Sequence, residues 1–207
     1  MIHCSPDQGG TGLLNRLREG CLLAGLLLWL PAAALAQEDT AIEPGPWAVT
    51  FWGAWGTDGG IEDFPGIASD FENSWFAGVG LTREIGRMGE DFAWEVEAIA
   101  VRHFGEQRHW EGDLALGLRW TDPFWTGSLA ASTGVSLASS LPVLEERVDP
   151  PTKKFLHFLG IEAAFSTKAS PAHEFVLRLH HRSAAYGLYG THDGGSNFVA
   201  LGYRRRF

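Results

Sequence analysis

From Trp47 onward apolar and polar residues alternate with period two, and no long stretch holds the 3.6-residue period of an amphipathic helix. Successive strand side chains point to opposite faces, so each alternating run reads as a strand with two unlike faces. Trp47, Val49, Phe51 and Trp55 share one face of the first strand. The second, about 74–85, sets Trp75, Ala77, Val79 and Leu81 against Gly78, Gly80 and Thr82. The third, about 91–103, sets Phe92, Trp94, Val96, Ala98 and Ala100 against Glu95, Glu97, Ile99 and His103. In the fourth, about 109–120, Trp110, Leu114, Leu116, Leu118 and Trp120 oppose Glu111, Asp113, Ala115 and Arg119. A small-residue strand follows at about 127–138, with Leu129, Ala131, Val135 and Leu137 on its apolar face. The sixth, about 154–166, sets Phe155, Leu159, Ile161 and Phe165 against Lys154 and Glu162. Two further runs between His173 and Phe207 flank a Gly-rich loop and bring the number to eight.

Eight such strands suit either a soluble up-and-down barrel carrying an apolar ligand or a barrel of the outer-membrane type. Four features favour the second. Long connections (57–73, 139–153, 184–195) alternate with short ones (86–90, 121–126, 167–172), and only 104–108 is short on the long side. Trp110 and Trp120 lie ten residues apart on one face, which at ~3.3 Å per residue and a tilt of ~40° spans roughly 25 Å, the height of a lipid-facing band. The polar face collects charges of both signs, Glu95, Glu97, Asp113, Arg119, Glu162, Glu174, Arg178 and Arg182, as a narrow lumen closed by ion pairs requires. The chain ends on Phe207 after an alternating strand, like the C-terminal signal read by the outer-membrane insertion machinery, although Arg205 stands where an aromatic is usual. The expected fold is all-β, an eight-stranded antiparallel transmembrane β-barrel over 46–207.

The start of the chain has a different character. Arg16 and Arg18 precede an apolar run from Cys21 to Leu35 that Pro31 breaks, and Ala34-Leu35-Ala36 before Gln37 fits a cleavage site. Residues 1–36 are expected to be a signal peptide removed on export, and 37–45 a flexible N-terminal segment. The leader carries two basic and two acidic residues, so the mature charge is 14 − 23 = −9, the same as for the full chain. This excess of acid argues against nucleic acid as a partner. Cys4 and Cys21 both fall in the leader, leaving the mature chain neither a disulfide nor a thiolate metal site.

The candidate chemistry lies on the seventh strand. Phe175, Leu177, Leu179, His181 and Ser183 share one face, and Glu174, Val176, Arg178, His180 and Arg182 the other. An exported chain begins its first strand on the periplasmic side, so the seventh runs outward. His181 and Ser183 then face lipid near the outer leaflet, where the substrate that can present itself is a lipid with ester bonds near the interface.

His181-Arg182-Ser183 on the seventh strand, with the Gly202-Tyr203-Arg204 to Phe207 ending, resembles the lipid A 3-O-deacylases, the PagL family. The resemblance implies that Ser183 is the nucleophile attacking an acyl ester and His181 its general base. In the family a glutamate a dozen residues later orients the histidine; here that position is Gly195, and the nearest carboxylate is Asp193 in the loop THDGGSN. Asp193 is therefore the candidate third member if the loop folds back, with His192 as a lesser one. Ala184 stands where the family usually has Asn.

The remaining polar residues have plainer readings. His180 is expected to face the lumen as a hydrogen-bonding partner of Glu or Asp. His103 and His109 flank an outside loop without ligand-like spacing, so neither metal nor cofactor is expected. Gly194-Gly195-Ser196-Asn197 starts the eighth strand, or alternatively offers amides to an oxyanion. The acidic loop 57–73 is a solvated loop that could also hold divalent cations bridging lipopolysaccharide phosphates. Two functions follow: an outer-membrane esterase acting on lipid A of lipopolysaccharide, or a non-enzymatic small barrel of the same fold in contact with lipopolysaccharide. Pairing into a homodimer is left open.

Overall fold

The computed structural model describes residues 45–58, 70–121, 123 and 126–207. The predicted leader and most of the acidic loop lie outside the described residues. Eight strands follow one another: β1 (Trp47–Thr57), β2 (Phe71–Met88), β3 (Phe92–Gly105), β4 (Trp110–Trp120), β5 (Gly127–Ala138), β6 (Phe155–Thr167), β7 (Ser170–Ser183) and β8 (Gly195–Arg206). Each pairs antiparallel with its neighbours in sequence, and β8 returns to β1 to close the barrel. Closure leaves no strand edge unpaired, which a sheet in hydrocarbon requires. The alternation therefore placed every strand, while β2 extends three residues beyond each end of the span read from the sequence.

The connections sort onto two ends. Turns 89–91 and 168–169 lie at one end with the barrel's own termini, Trp120 and Gly127, and 106–109, 139–154 and 184–194 lie at the other with Thr57 and Phe71, here called the loop end. The 139–154 connection is not wholly irregular: it contains a short helix, α1 (Val143–Val148). Leu144 of α1 is buried with Phe76, Phe158 and Phe198 in the apolar cluster inside the barrel.

The wall is apolar outside and polar inside. Phe51, Val79, Leu81, Val96, Leu114, Leu116, Ile161, Phe165, Phe175 and Leu201 are all exposed on the outer surface. A belt on this scale far exceeds the few hundred Å² of contiguous apolar surface that soluble monomers show, and its natural neighbour is hydrocarbon. Aromatic rings edge it at both ends. Trp75 stacks on Phe104 at the loop end, centroids 4.4 Å apart, and Phe92 on Trp120 at the turn end, 6.3 Å apart.

Four arginines (Arg119, Arg178, Arg204, Arg206) interleave with four glutamates (Glu95, Glu97, Glu162, Glu174) toward the turn end of the lumen. Glu162 is the hub: one oxygen takes Arg119 Nη1 at 2.9 Å and Arg204 Nη1 at 2.6 Å, the other Arg204 Nη2 at 2.7 Å and Arg178 Nη2 at 2.9 Å. Trp52 also points inward, with the Arg178 guanidinium 4.5 Å above its ring. Glycine at 202 makes room for it, because a Cβ there would come within 2.5 Å of the indole. Opposite charges within reach of one another are the condition for burying this many ions in a narrow lumen. The structure is thus a transmembrane barrel of the outer-membrane type.

Candidate functional site on the outer wall

β7 carries His181 and Ser183 outward at the loop end, as the alternation predicts, both half-buried against neighbouring side chains. Two strand residues span roughly 6.6 Å, so the two side chains stand side by side on one face. His181 Nδ1 lies 2.7 Å from Asn197 Oδ1, its cross-strand partner on β8. An amide oxygen only accepts, so this bond places the proton on Nδ1 and the lone pair on Nε2, the tautomer a general base needs.

The third position is where the sequence reading needs correcting. Asp193 is exposed, and its backbone carbonyl accepts from Thr191 Oγ1 at 3.0 Å. His192 is also exposed. The β7–β8 register, in which Ser183 faces Gly195 and His181 faces Asn197, brings Asn197 to the imidazole. Gly194 does not offer a spare amide to an oxyanion: its N–H donates to Asp149 Oδ2 at 3.0 Å.

Register also brings in a residue the linear reading missed. His157 on β6 is the cross-strand partner of Ser183 on the same outward face, at a Cβ separation of about 5 Å for directly opposed residues. Its Nε2 bonds Thr133 Oγ1 of β5 at 2.7 Å. Thr133, His157, Ser183, His181 and Asn197 thus form a polar band across four strands of an otherwise apolar wall. Beside it the 184–194 loop turns through Ala185 and Tyr186, both in the left-handed region (φ 47° and 55°). Tyr186 and Leu188 stand fully or largely exposed. Two consecutive non-glycine residues in that region are strained, a feature that concentrates at functional sites.

A second polar group lies inside the loop end. His180 Nε2 donates to Glu111 Oε1 (2.8 Å), as expected of a lumen partner, and His103 Nε2 lies 3.0 Å from Glu111 Oε2. His109 stacks on His103, centroids 4.2 Å apart, and burial with the neighbouring His103 pushes its pKa down to about 4. Above them Glu145 of α1 pairs with Arg182 Nε at 2.8 Å and accepts from Thr152 Oγ1 at 2.5 Å and Ser196 Oγ at 2.9 Å. Burial pushes its carboxyl up despite these partners. Nothing in the 103, 109, 111 spacing signals this grouping, because β3, β4 and β7 bring it together.

These features define a closed eight-stranded barrel, apolar outside and ionic within, with a Ser–His–Asn array on its outer wall. No family model and no curated protein matches the chain. Among solved structures it is similar to the outer membrane enzyme PagL, at 16% identity and TM-score 0.49, over 76% of this chain and 99% of that one. It is also similar to Neisserial surface protein A (NspA), at 10% identity and TM-score 0.46, over 80% of this chain and 100% of that one.

Proposed function

We propose that the protein is an outer-membrane esterase that removes an ester-linked acyl chain from lipid A of lipopolysaccharide. The observation that carries this reading is the 2.7 Å bond from His181 to Asn197 beside Ser183, on the lipid-facing wall at the loop end. A polar array there costs burial against hydrocarbon that a purely structural wall avoids. In the reaction Ser183 Oγ attacks the acyl carbonyl carbon while His181 Nε2 takes its proton. The tetrahedral intermediate collapses, the ester C–O bond breaks, and the sugar oxygen leaves with the proton from His181. Water, deprotonated by the same nitrogen, then cleaves the acyl–serine ester and restores the enzyme. Asn197 replaces Asp193 as the group that orients the base.

The loop end faces outward in this reading, after export directed by residues 1–36 and insertion through the strand ending at Phe207. The test is mass spectrometry of lipid A incubated with the refolded barrel and with Ser183→Ala. Loss of one acyl chain with the wild type alone is expected. Unchanged lipid A with a demonstrably folded wild-type barrel overturns the esterase. The second reading, a non-enzymatic barrel in contact with lipopolysaccharide, draws on one observation: the group 2.7 Å from His181 Nδ1 is the neutral amide of Asn197.

A further inference from the structure

The two layers of the lumen differ in their charge balance. Toward the turn end the four arginines meet four glutamates and cancel. At the loop end Glu111, Asp113 and Glu145 face one arginine, Arg182. The formal sum there is +1 − 3 = −2, with three imidazoles, His103, His109 and His180, alongside. All of these side chains are buried. A buried surplus of two negative charges is costly unless a cation or protons accompany it.

Among the described residues, two of the buried polar atoms left without partners stand beside these imidazoles, while Trp52 Nε1, Arg178 Nε and Arg178 Nη1 lie in the arginine–glutamate layer. His109, 2% exposed, has no partner for Nε2. Gln107 Oε1 is also unpartnered, although the residue is 1% exposed. Buried polar atoms are nearly always satisfied, so an unpartnered imidazole nitrogen beside a surplus of carboxylates calls for a partner. One donor atom each from His103, His109 and Glu111 lies within 4.8 Å of the other two, and the same holds for Glu111, Asp113 and His180.

We infer that the loop end of the lumen is a binding site for one divalent transition-metal ion of the zinc type, held by His103, His109 and Glu111. Two imidazole nitrogens and a carboxylate are a donor set that zinc accepts, with bonds of ~2.0–2.2 Å. The rings must close on the ion by small rotations, and His109 lies in the connection between β3 and β4, outside the regular strands. Gln107 Nε2 donates toward His103 Nδ1 over 3.5 Å, which leaves the His103 proton on Nε2 toward Glu111. On binding, that proton shifts to Nδ1 and the Gln107 amide turns over. Its oxygen then accepts Nδ1–H and Ser74 Oγ–H, the amide now 2.9 Å from that hydroxyl, so no proton is lost overall. Such a partner on the far ring nitrogen is the usual support of a metal-bound histidine. Asp113 and His180, on the other side of Glu111, complete the charge balance around the ion. The site faces the lumen and the esterase array faces lipid, so the two stand or fall separately.

The test is zinc content. Barrel refolded after chelation is incubated with Zn²⁺, freed of excess by gel filtration, and analysed by elemental mass spectrometry, with Co²⁺ absorption as a second probe. One ion per chain is expected, with a visible cobalt spectrum of nitrogen and oxygen ligation. His109→Ala, in a connection and not a strand, is expected to weaken binding at least tenfold while the folded band on a gel remains; His109→Gln serves if the alanine variant does not fold. Wild-type barrel that retains no zinc overturns the site. So does equal retention by the His109 variants, since the ion then sits elsewhere.

Discussion

At the scale of single residues, the open question is what a neutral amide does beside a catalytic histidine. Asn197 fixes the tautomer of His181, but it cannot stabilise the imidazolium that forms when Ser183 gives up its proton. A carboxylate in its place adds a charge-assisted bond worth ~1.5–3 kcal/mol against about 1 for a neutral one. Asn197→Asp is therefore expected to raise the deacylation rate by roughly tenfold or more, and Asn197→Ala to lower it, with Ser183→Ala silent in both backgrounds. Turnover that stays undetectable in every variant of a folded barrel is the result the non-enzymatic reading requires. The second imidazole is separable too: His181→Ala is expected to remove the ~10²–10⁴-fold contribution of a general base, and His157→Ala considerably less. If the two losses are reversed, His157 is the base. The outward placement of His181 and Ser183 was legible in the sequence because alternation fixes a face. Asn197 and His157 were not, because their proximity depends on register across a hairpin and on a neighbouring strand. Counting along the chain led to Asp193, which the loop leaves in solvent.

At the scale of elements, α1 adds its Leu144 to the apolar cluster at the loop end of the lumen. The connection holding it carries prolines and reads as a loop, since six helical residues are too few to show a period. Burial of Leu144 against the aromatic cluster, with Glu145 held by Arg182, Thr152 and Ser196, is what seats it. The Glu145 carboxyl is raised above its ordinary 4.5, burial being the largest cause. An acid whose folded pKa lies above the unfolded value binds more protons when folded, so its contribution falls as pH rises from the unfolded pKa through the folded one. Glu145→Gln keeps the shape and removes the titration. Wild-type stability relative to this variant is expected to decline as pH rises above about 4.5 and then level off. Melting of the compact band on gels at a series of pH values measures it. A wild type that gains on the variant with rising pH means the Arg182 pair outweighs the cost of burial.

At the scale of the whole molecule, the barrel inverts the usual division of labour. Lipid is as apolar as the outer side chains, so burying Phe175 or Leu114 against it supplies little drive to close the cylinder once it is in the membrane. Closure instead rests on backbone ladders and on the ionic lumen, where every arginine reaches across to strands other than its own. Glu162 on β6 joins Arg119 of β4, Arg178 of β7 and Arg204 of β8, and through Arg204 reaches Thr50 of β1 at 2.9 Å. One carboxylate therefore ties five strands, including the β1–β8 seam that makes the barrel a barrel. Removing it leaves three buried guanidinium groups short of a partner, and breaking a buried pair in this way costs ~3–5 kcal/mol. Glu162→Ala is expected to lower the unfolding free energy by about that amount, whereas Glu84→Ala, which removes an exposed pair with Arg87, changes it by about 1 kcal/mol or less. Urea unfolding of both variants in the same detergent, followed by tryptophan emission, distinguishes them. Equal and small losses place the drive to close in the backbone ladders, and the ionic lumen then serves only to fill the space that β1–β8 pairing encloses.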